Sequence, residues 1–460
     1  MIFILIRNFS EFYSSTKIVI AAAWAVRHVL ITKDTRFSET QTRIIMTVAE
    51  FPQNVHSSFD ALWSMRRGDP PALLALLMDK KMIEQPNWIR RFPAPEDNGY
   101  LLFSGVDPEV KKSIVKLIRI SDGKILYRWA PDWNSVFEKH TPKKFVPEGS
   151  SKIELAVHPL LLADGDIIFN TSTSLVRLSP CSSKPIWVID EVMHHSIELD
   201  VSGTSVWIPS VSQDGFSENP WLRDNVRDDA LAQVSTDGRI VARYSFVKIL
   251  RDNGMEAMLL GRSGGTLNED PIHLNQIKAA SQDTKYWHKG DLLISARHLS
   301  TLFLYRPSTN KIIWYQTGPW MNQHSVDFVD EHRISVFDNH IVVGAPKEQA
   351  FMKPGDTNHV LVYDFDTKQI SEPYATLLAK TRPVTITSGR ARILPDGGLF
   401  IEETDYGRLL RFTRDNLLWS RINDYDEQRN GTSAWSRYLT EEEANVSLRG
   451  LASRQCDMAK

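Results

Sequence analysis

Three times along this chain an ionisable side chain stands six residues ahead of an aspartate-led turn: His158 before Asp164, His324 before Asp330 and Arg390 before Asp396. Each is set in the same pattern, a short β-type run, the turn, and a second apolar run. Gln323–Asn339 shows it most clearly. One strand opens with His324, the turn falls at Asp330-Glu331, and the return strand from Ile334 to Phe337 ends in Asp338-Asn339. A short unit that cannot bury its apolar faces alone must stack on copies of itself, so this recurrence limits the fold more than any other feature.

From Asn98 onward the chain reads as a series of such runs separated by turn signals. Unit one holds Tyr100–Phe103, Val115–Ile120 and Ile125–Trp129. Unit two runs from Ala156 to Val188, unit three from Met193 to Val241, unit four from Pro271 to Trp314, unit five from Gln323 to Asp364, and unit six from Gly389 to Trp419. Outer runs often end in Trp after a DG-like turn. Six units of about four strands each predict an all-β fold, a six-bladed β-propeller; a large β-sandwich assembly is the alternative. The spacing is uneven, 37 residues from His158 to His195, 78 to His273 and 51 to His324. Insertions in blades three to five account for this, because propeller loops tolerate them.

Three segments follow. Residues 1–95 form a partly helical N-terminal extension, residues 96–425 the propeller, and residues 426–460 a tail that caps or closes the last blade. Within the extension, Pro70–Met82 has Pro in its first turn and Lys in its last, which predicts a helix. Residues 18–31 (IVIAAAWAVRHVLI) are apolar except for Arg27 and His28. They are shorter than the ~20 residues of a spanning helix. A membrane anchor or export signal is one reading and a soluble helix the other. The cysteines, Cys181 and Cys456, have no metal-binding spacing and read as two unrelated thiols. A net charge of −2 gives no sign of the strongly basic face that a nucleic-acid partner would call for. Thirteen Trp in the chain fit a β-dominated core.

The inner strand of each blade lines a central channel, so equivalent positions converge there. Those positions carry His158, His194-His195, His273, His324 and Arg390. The ends of the second strands add Asn170, Arg297, Asp338-Asn339 and Glu402-Glu403. Neighbours on a strand face opposite ways, so only one of His194 and His195 should reach the channel, and the blade spacing favours His195. A single strand histidine is usually structural, but four at one repeat position line a wet channel with no packing benefit. Arg297 would repel a cation, and arginine is a fork-shaped donor for tetrahedral oxyanions. Histidine serves as nucleophile, base or acid near neutral pH. Together they suit transfer of a sulfuryl or phosphoryl group with no metal and no cofactor. Gly261–Thr266 lacks the Lys-Ser/Thr of a phosphate loop. A non-catalytic anion-binding or scaffold propeller and a metal-dependent propeller hydrolase or lyase stay open as alternatives.

The elements Met193-His194-His195, Asp270-Pro271-Ile272-His273-Leu274-Asn275, Leu293-Ile294-Ser295-Ala296-Arg297-His298, Gln323-His324 and Phe337-Asp338-Asn339 resemble, in order and blade position, those of the bacterial arylsulfotransferase family. The resemblance spans roughly residues 95–425. It implies a six-bladed propeller acting without a nucleotide sulfate donor, on a small-molecule aryl sulfate donor and a phenolic acceptor. It also implies a ping-pong reaction through a sulfohistidine at His324. Arg297 and His273 then match the positions that hold the sulfuryl oxygens, and His195 (or His194) matches a channel histidine that assists proton transfer. His158, Asn339 and Arg390 join His194 as substrate-binding residues. Ser196 stands where the family's paired histidines are commonly followed by an acid. The expected location is extracytoplasmic or periplasmic, with any membrane association through residues 18–31. The oligomeric state leaves no mark in the sequence.

Overall fold

The repeated strands build six four-stranded antiparallel sheets arranged as the blades of a propeller. The computed structural model describes residues 73, 76–80, 91–143, 152–212, 226–261, 269–343, 350–352, 356–454 and 456. The chain divides into two compact units, Met1–Ala75 and Leu76–Lys460, and the propeller belongs to the second. Residues 18–31 and most of Gly261–Thr266 lie outside the described residues. Among those described, no helix is long and apolar enough to cross a membrane.

From the axis outward, blade two is Val157–Leu161, Ile167–Asn170, Leu175–Leu178 and Trp187–Ile189. Blade three is Glu198–Leu199, Ser205–Val211, Asp229–Ser235 and Ile240–Ser245. Blade four is Leu274–Ala279, Leu292–Ala296, Thr301–Arg306 and Lys311–Thr317. Blade five is Val326–Phe328, Arg333–Asp338, His359–Asp364 and Gln369–Ser371, and blade six is Arg390–Ile393, Leu399–Glu403, Arg408–Phe412 and Leu417–Ile422.

Blade one differs in its connectivity. Tyr100–Asp107, Lys112–Arg119 and Ile125–Trp129 supply its outer three strands, and its inner strand is Arg437–Leu439. The tail therefore completes the first blade; it does not cap the last. Joining a late strand to an early one closes the ring and removes the open edge that blade one would otherwise present.

Six apolar clusters hold the ring together, one in each seam between neighbouring blades. Alternation along single strands makes this possible. In Leu292–Ala296, Leu292 and Ile294 pack toward blade three while Leu293 packs toward blade five. In Tyr100–Asp107, Leu101 and Phe103 face blade six and Leu102 faces blade two. Strands buried on both faces read as near-continuous apolar runs, which is why the blades stand out in the sequence.

Two expectations change. Leu77–Asp79, within the stretch expected to be helical, is a strand paired with Arg429–Gly431. Local helix propensity amounts to a few tenths of a kcal/mol per residue, and the unpaired edge of Arg429–Gly431 outweighs it. The two cysteines are not separate thiols: Cys181 is disulfide-bonded to Cys456, with Cα atoms 5.0 Å apart. The helix Glu441–Ser453 explains how they meet. It starts with a Thr440–Glu443 capping box and buries Leu451 in the seam of blades one and two. Arg454 then reaches the Asp164 carbonyl (2.6 Å) and Ser179 Oγ (3.0 Å), two residues from Cys181.

Candidate active site

His158 and Arg390 lie at the starts of inner strands, as the sequence suggested, while His195, His273 and His324 stand just ahead of theirs. His158, His195, His273 and Trp435 stand where the chain enters the inner strands, in the left-handed region, with φ of 49°, 59°, 54° and 58°. Non-glycine residues adopt it rarely, and its concentration at one repeat position marks a functional constraint. At His195 it also breaks the strand alternation, so His194 and His195 both turn into the site. Their Nδ1 atoms lie 2.7 Å apart.

The structure brings His195, His273 and His324 together. The His195 ring centre lies 5.0 Å from that of His273 and 6.0 Å from that of His324. His324 is fully buried, while His195, His273, Arg297 and His298 keep partial exposure, so His324 forms the floor of a pit. The backbone fixes this floor: the His324 N–H donates to the Phe337 carbonyl at 3.0 Å, and the Arg297 N–H donates to the His273 carbonyl at 2.9 Å.

His324 Nδ1 lies 2.6 Å from Asn339 Oδ1. The Asn339 amide is committed to the Thr385 and Ser388 carbonyls (3.1 and 2.7 Å), so its oxygen must face the imidazole as an acceptor. That places the proton on Nδ1 and the lone pair on Nε2. Nε2 is buried and has no hydrogen-bond partner among the described residues. Burial, and then the Arg297 charge, pull the His324 pKa down to about 3, against smaller opposing effects of Asn339 and the Thr387 carbonyl. The ring is therefore neutral at physiological pH. His195 and His273 are also held well below the ordinary imidazole value, by burial first and then by neighbouring positive groups.

Arg297 Nη1 lies 2.7 Å from His298 Nε2, and its buried Nε has no partner among the described residues. His298 Nδ1 faces the Asp270 carbonyl at 2.6 Å, and the Asp270 carboxylate lies 2.5 Å from His273 Nδ1. Asp270, His273 and His298 have spacing that could hold a metal ion. The Arg297 guanidinium against His298 makes this a poor cation site and a good anion site. On the far side, His194 Nε2 meets Arg227, itself paired with Asp229 at 2.7 Å.

The remaining expected residues lie elsewhere in the network. His158 accepts the Ile197 N–H at Nδ1 (2.8 Å), and its Nε2 is 2.6 Å from Arg390 Nη1. These two are turned to each other, and both are buried. Asn170 Nδ2 donates to the His195 carbonyl at 2.9 Å. Glu402 receives the Trp435 and Ser436 N–H groups, each at 2.6 Å.

Three participants were given no role by the sequence reading. Trp435 lies 5.8 Å from His195 and 6.1 Å from His324, ring centre to ring centre, and its Nε1 donates to Ser388 Oγ at 2.6 Å. His298 is returned to the pit by the 3₁₀ turn Arg297–Leu299. Asp270 binds His273 from three residues upstream. Asp270 and His298 had a signal in the motifs that carry the resemblance, and Trp435 had one in the count of blades: five inner strands with a channel residue leave one position on the axis to fill.

The family described as arylsulfotransferase (ASST) matches residues 158–424, more than half of the chain. No curated protein matches. Among solved structures, a protein of unknown function from Bacteroides caccae is similar at 12% identity and a TM-score of 0.43, covering 75% of this chain and 100% of that one. The WD40 domain of Neurospora crassa Pan2 is similar at 10% identity and a TM-score of 0.38, covering 79% and 93%.

Proposed function

This chain belongs to the arylsulfotransferase family, and we propose that it moves a sulfuryl group from an aryl sulfate to a phenolic acceptor through a sulfohistidine at His324. One observation carries the reading: the His324 imidazole is neutral, its Nδ1 proton is held by Asn339, and its buried Nε2 has no hydrogen-bond partner among the described residues. That is an activated nucleophile with its orienting group in place.

In the first half-reaction the Nε2 lone pair forms a bond to sulfur. The bond from sulfur to the aryl oxygen breaks, and the phenolate leaves with the electron pair. In the second, the acceptor oxygen bonds to sulfur, the N–S bond returns its electrons to Nε2, and the acceptor proton passes to a neutral channel histidine. His195 is placed for that step, its ring standing beside those of His273 and His324. Arg297, whose buried Nε has no hydrogen-bond partner among the described residues, holds the sulfuryl oxygens as charge shifts onto them, and His273, its Nδ1 proton committed to Asp270, joins it when Nε2 is also protonated. Asn339 orients His324 and has no N–H donor left for the sulfuryl oxygens. His158 and Arg390 pin the inner strands and support the pit from outside it.

We place the chain in an extracytoplasmic, oxidising compartment; the Cys181–Cys456 bond supports this, since such bonds persist there. The test of the reaction is mass spectrometry after incubation with 4-nitrophenyl sulfate. The expected result is one added sulfuryl group on the peptide containing His324, absent from His324→Asn. Turnover with no adduct at His324, or undiminished turnover by His324→Asn, overturns the reading.

A further inference from the structure

We propose that His340, Asp356 and His359 form a binding site for a divalent first-row transition-metal ion of the zinc type, at the neck of the hairpin inserted in blade five. The site is separate from sulfuryl transfer and needs nothing from that reading.

His340 follows the strand Arg333–Asp338, and His359 opens the strand His359–Asp364. Between them Ile341–Val343 pairs with Ala350–Met352, so the two histidines are the feet of an insertion. Their rings lie 4.8 Å apart, and the Asp356 carboxylate faces both. Its Oδ2 is 3.6 Å from His340 Nε2 and its Oδ1 is 3.4 Å from His359 Nε2. These separations are long for hydrogen bonds. They match the spacing of neighbouring ligand atoms that each stand about 2.1 Å from one tetrahedral ion, roughly 3.4 Å.

The opposite edges of the rings supply the second observation. His340 Nδ1 lies 2.9 Å from Asp338 Oδ2, and His359 Nδ1 lies 2.6 Å from Glu372 Oε1. A carboxylate on each Nδ1 fixes the proton there and turns both Nε2 lone pairs toward the same point. Carboxylate-backed imidazoles are the usual outer shell of a metal site. Two imidazoles and one carboxylate favour zinc, nickel or copper over magnesium or calcium, which prefer all-oxygen shells.

Two other groups among the described residues have similar spacing and lack this arrangement. Asp270, His273 and His298 carry Arg297 on His298. His332, Asp364 and Asp366 offer a single imidazole, and Asp366 is held by Lys285 and Tyr286.

The ion would tie down backbone that serves His324. Asn339 adjoins His340, Asn358 adjoins His359, and the Asn358 amide donates to the Asn339 carbonyl at 3.0 Å. A bound metal would thus stiffen the segment that presents Asn339 to the nucleophile.

Equilibrium dialysis of the full chain against Zn²⁺, read by elemental mass spectrometry, tests the site. The expected result is about one zinc per chain, kept in His273→Ala and His332→Ala and reduced below about a tenth in His340→Ala and His359→Ala. Glu372→Gln, which leaves the ligands in place, should weaken binding about 10–100-fold. Asp356→Asn, nearly isosteric, serves if an alanine variant fails to fold, and should also lose the ion. The site is overturned if wild-type protein holds no zinc, or if zinc survives in every His340, Asp356 and His359 variant that folds.

Discussion

His324 and His158 hold the same place in their blades, six residues ahead of an aspartate-led turn, and both lie against Trp435, with ring centres 6.1 and 5.3 Å away. Each has an arginine nearby, and burial depresses both pKa values. Their nitrogens differ. Those of His158 are occupied, one by the Ile197 N–H and the other by Arg390. His324 has one nitrogen held by Asn339 and one with no hydrogen-bond partner among the described residues. Repeat position therefore brings a histidine to the axis, and the second strand decides its use. In blade two that strand ends in Asn170, which bonds to the His195 carbonyl. In blade five it ends in Asn339, which turns on the imidazole itself.

The contrast is broken most directly by removing each histidine in turn. His324→Asn should lower kcat/KM for 4-nitrophenyl sulfate by at least about 10⁴, the scale of a lost nucleophile, with an unchanged melting curve. His158→Asn should keep kcat within about tenfold and instead lower stability by about 1–3 kcal/mol, because the buried Ile197 N–H loses its acceptor. A nucleophile-sized loss in His158→Asn would erase the distinction. The arginines extend the same test at smaller scale. Arg297→Ala should cost about 10²–10³ in kcat, as for one lost oxyanion donor, while Arg390→Ala should act chiefly on urea resistance.

The pH dependence of stability gives the smallest and most quantitative comparison. The folded state keeps His324 neutral down to about 3, against an ordinary value of 6.5. Between those values the unfolded chain binds a proton that the folded chain refuses, so stability falls as pH drops from 6.5. At pH 5 this one group should contribute about 2 kcal/mol of the loss. Urea unfolding of His324→Asn at pH 7 and pH 5 should show a correspondingly shallower fall. A parallel fall would mean that His324 is not held neutral. His158 works in the same direction, so His158→Asn should flatten the curve as well, whatever its effect on catalysis.

What the sequence made legible follows from periodicity. Strands such as Leu292–Ala296 and Tyr100–Asp107 bury both faces and announce themselves, and with them the six-bladed propeller. Repeat spacing placed His158, His324 and Arg390 at equivalent positions, and His273 and Arg297 followed from where they fall in their own blade's strands. Period-two reasoning failed at His194 and His195, because the left-handed φ of His195 cancels the alternation on which it depends. It could not see that Leu77–Asp79 finds a strand partner more than 350 residues away, or that a helix would carry Cys456 to Cys181. These are contacts between distant segments, and no local pattern encodes them. The Asp356 cluster stayed hidden for the same reason. His340 and His359 look unremarkable until an insertion brings its own two feet together.

The strand that closes blade one also carries a wall of the pit. Trp435 reaches the axis only because Arg437–Leu439 pairs with Tyr100–Leu102, and Glu402 in blade six receives its N–H. Every other strand of the ring is translated earlier. A nascent or truncated chain that stops short of residue 435 thus already carries His195, His273, Arg297 and His324, without the aromatic surface against which His195 and His324 rest. The order of synthesis works as a latch: the histidines come off the ribosome first, and the ring around them can shut only when the last strand arrives.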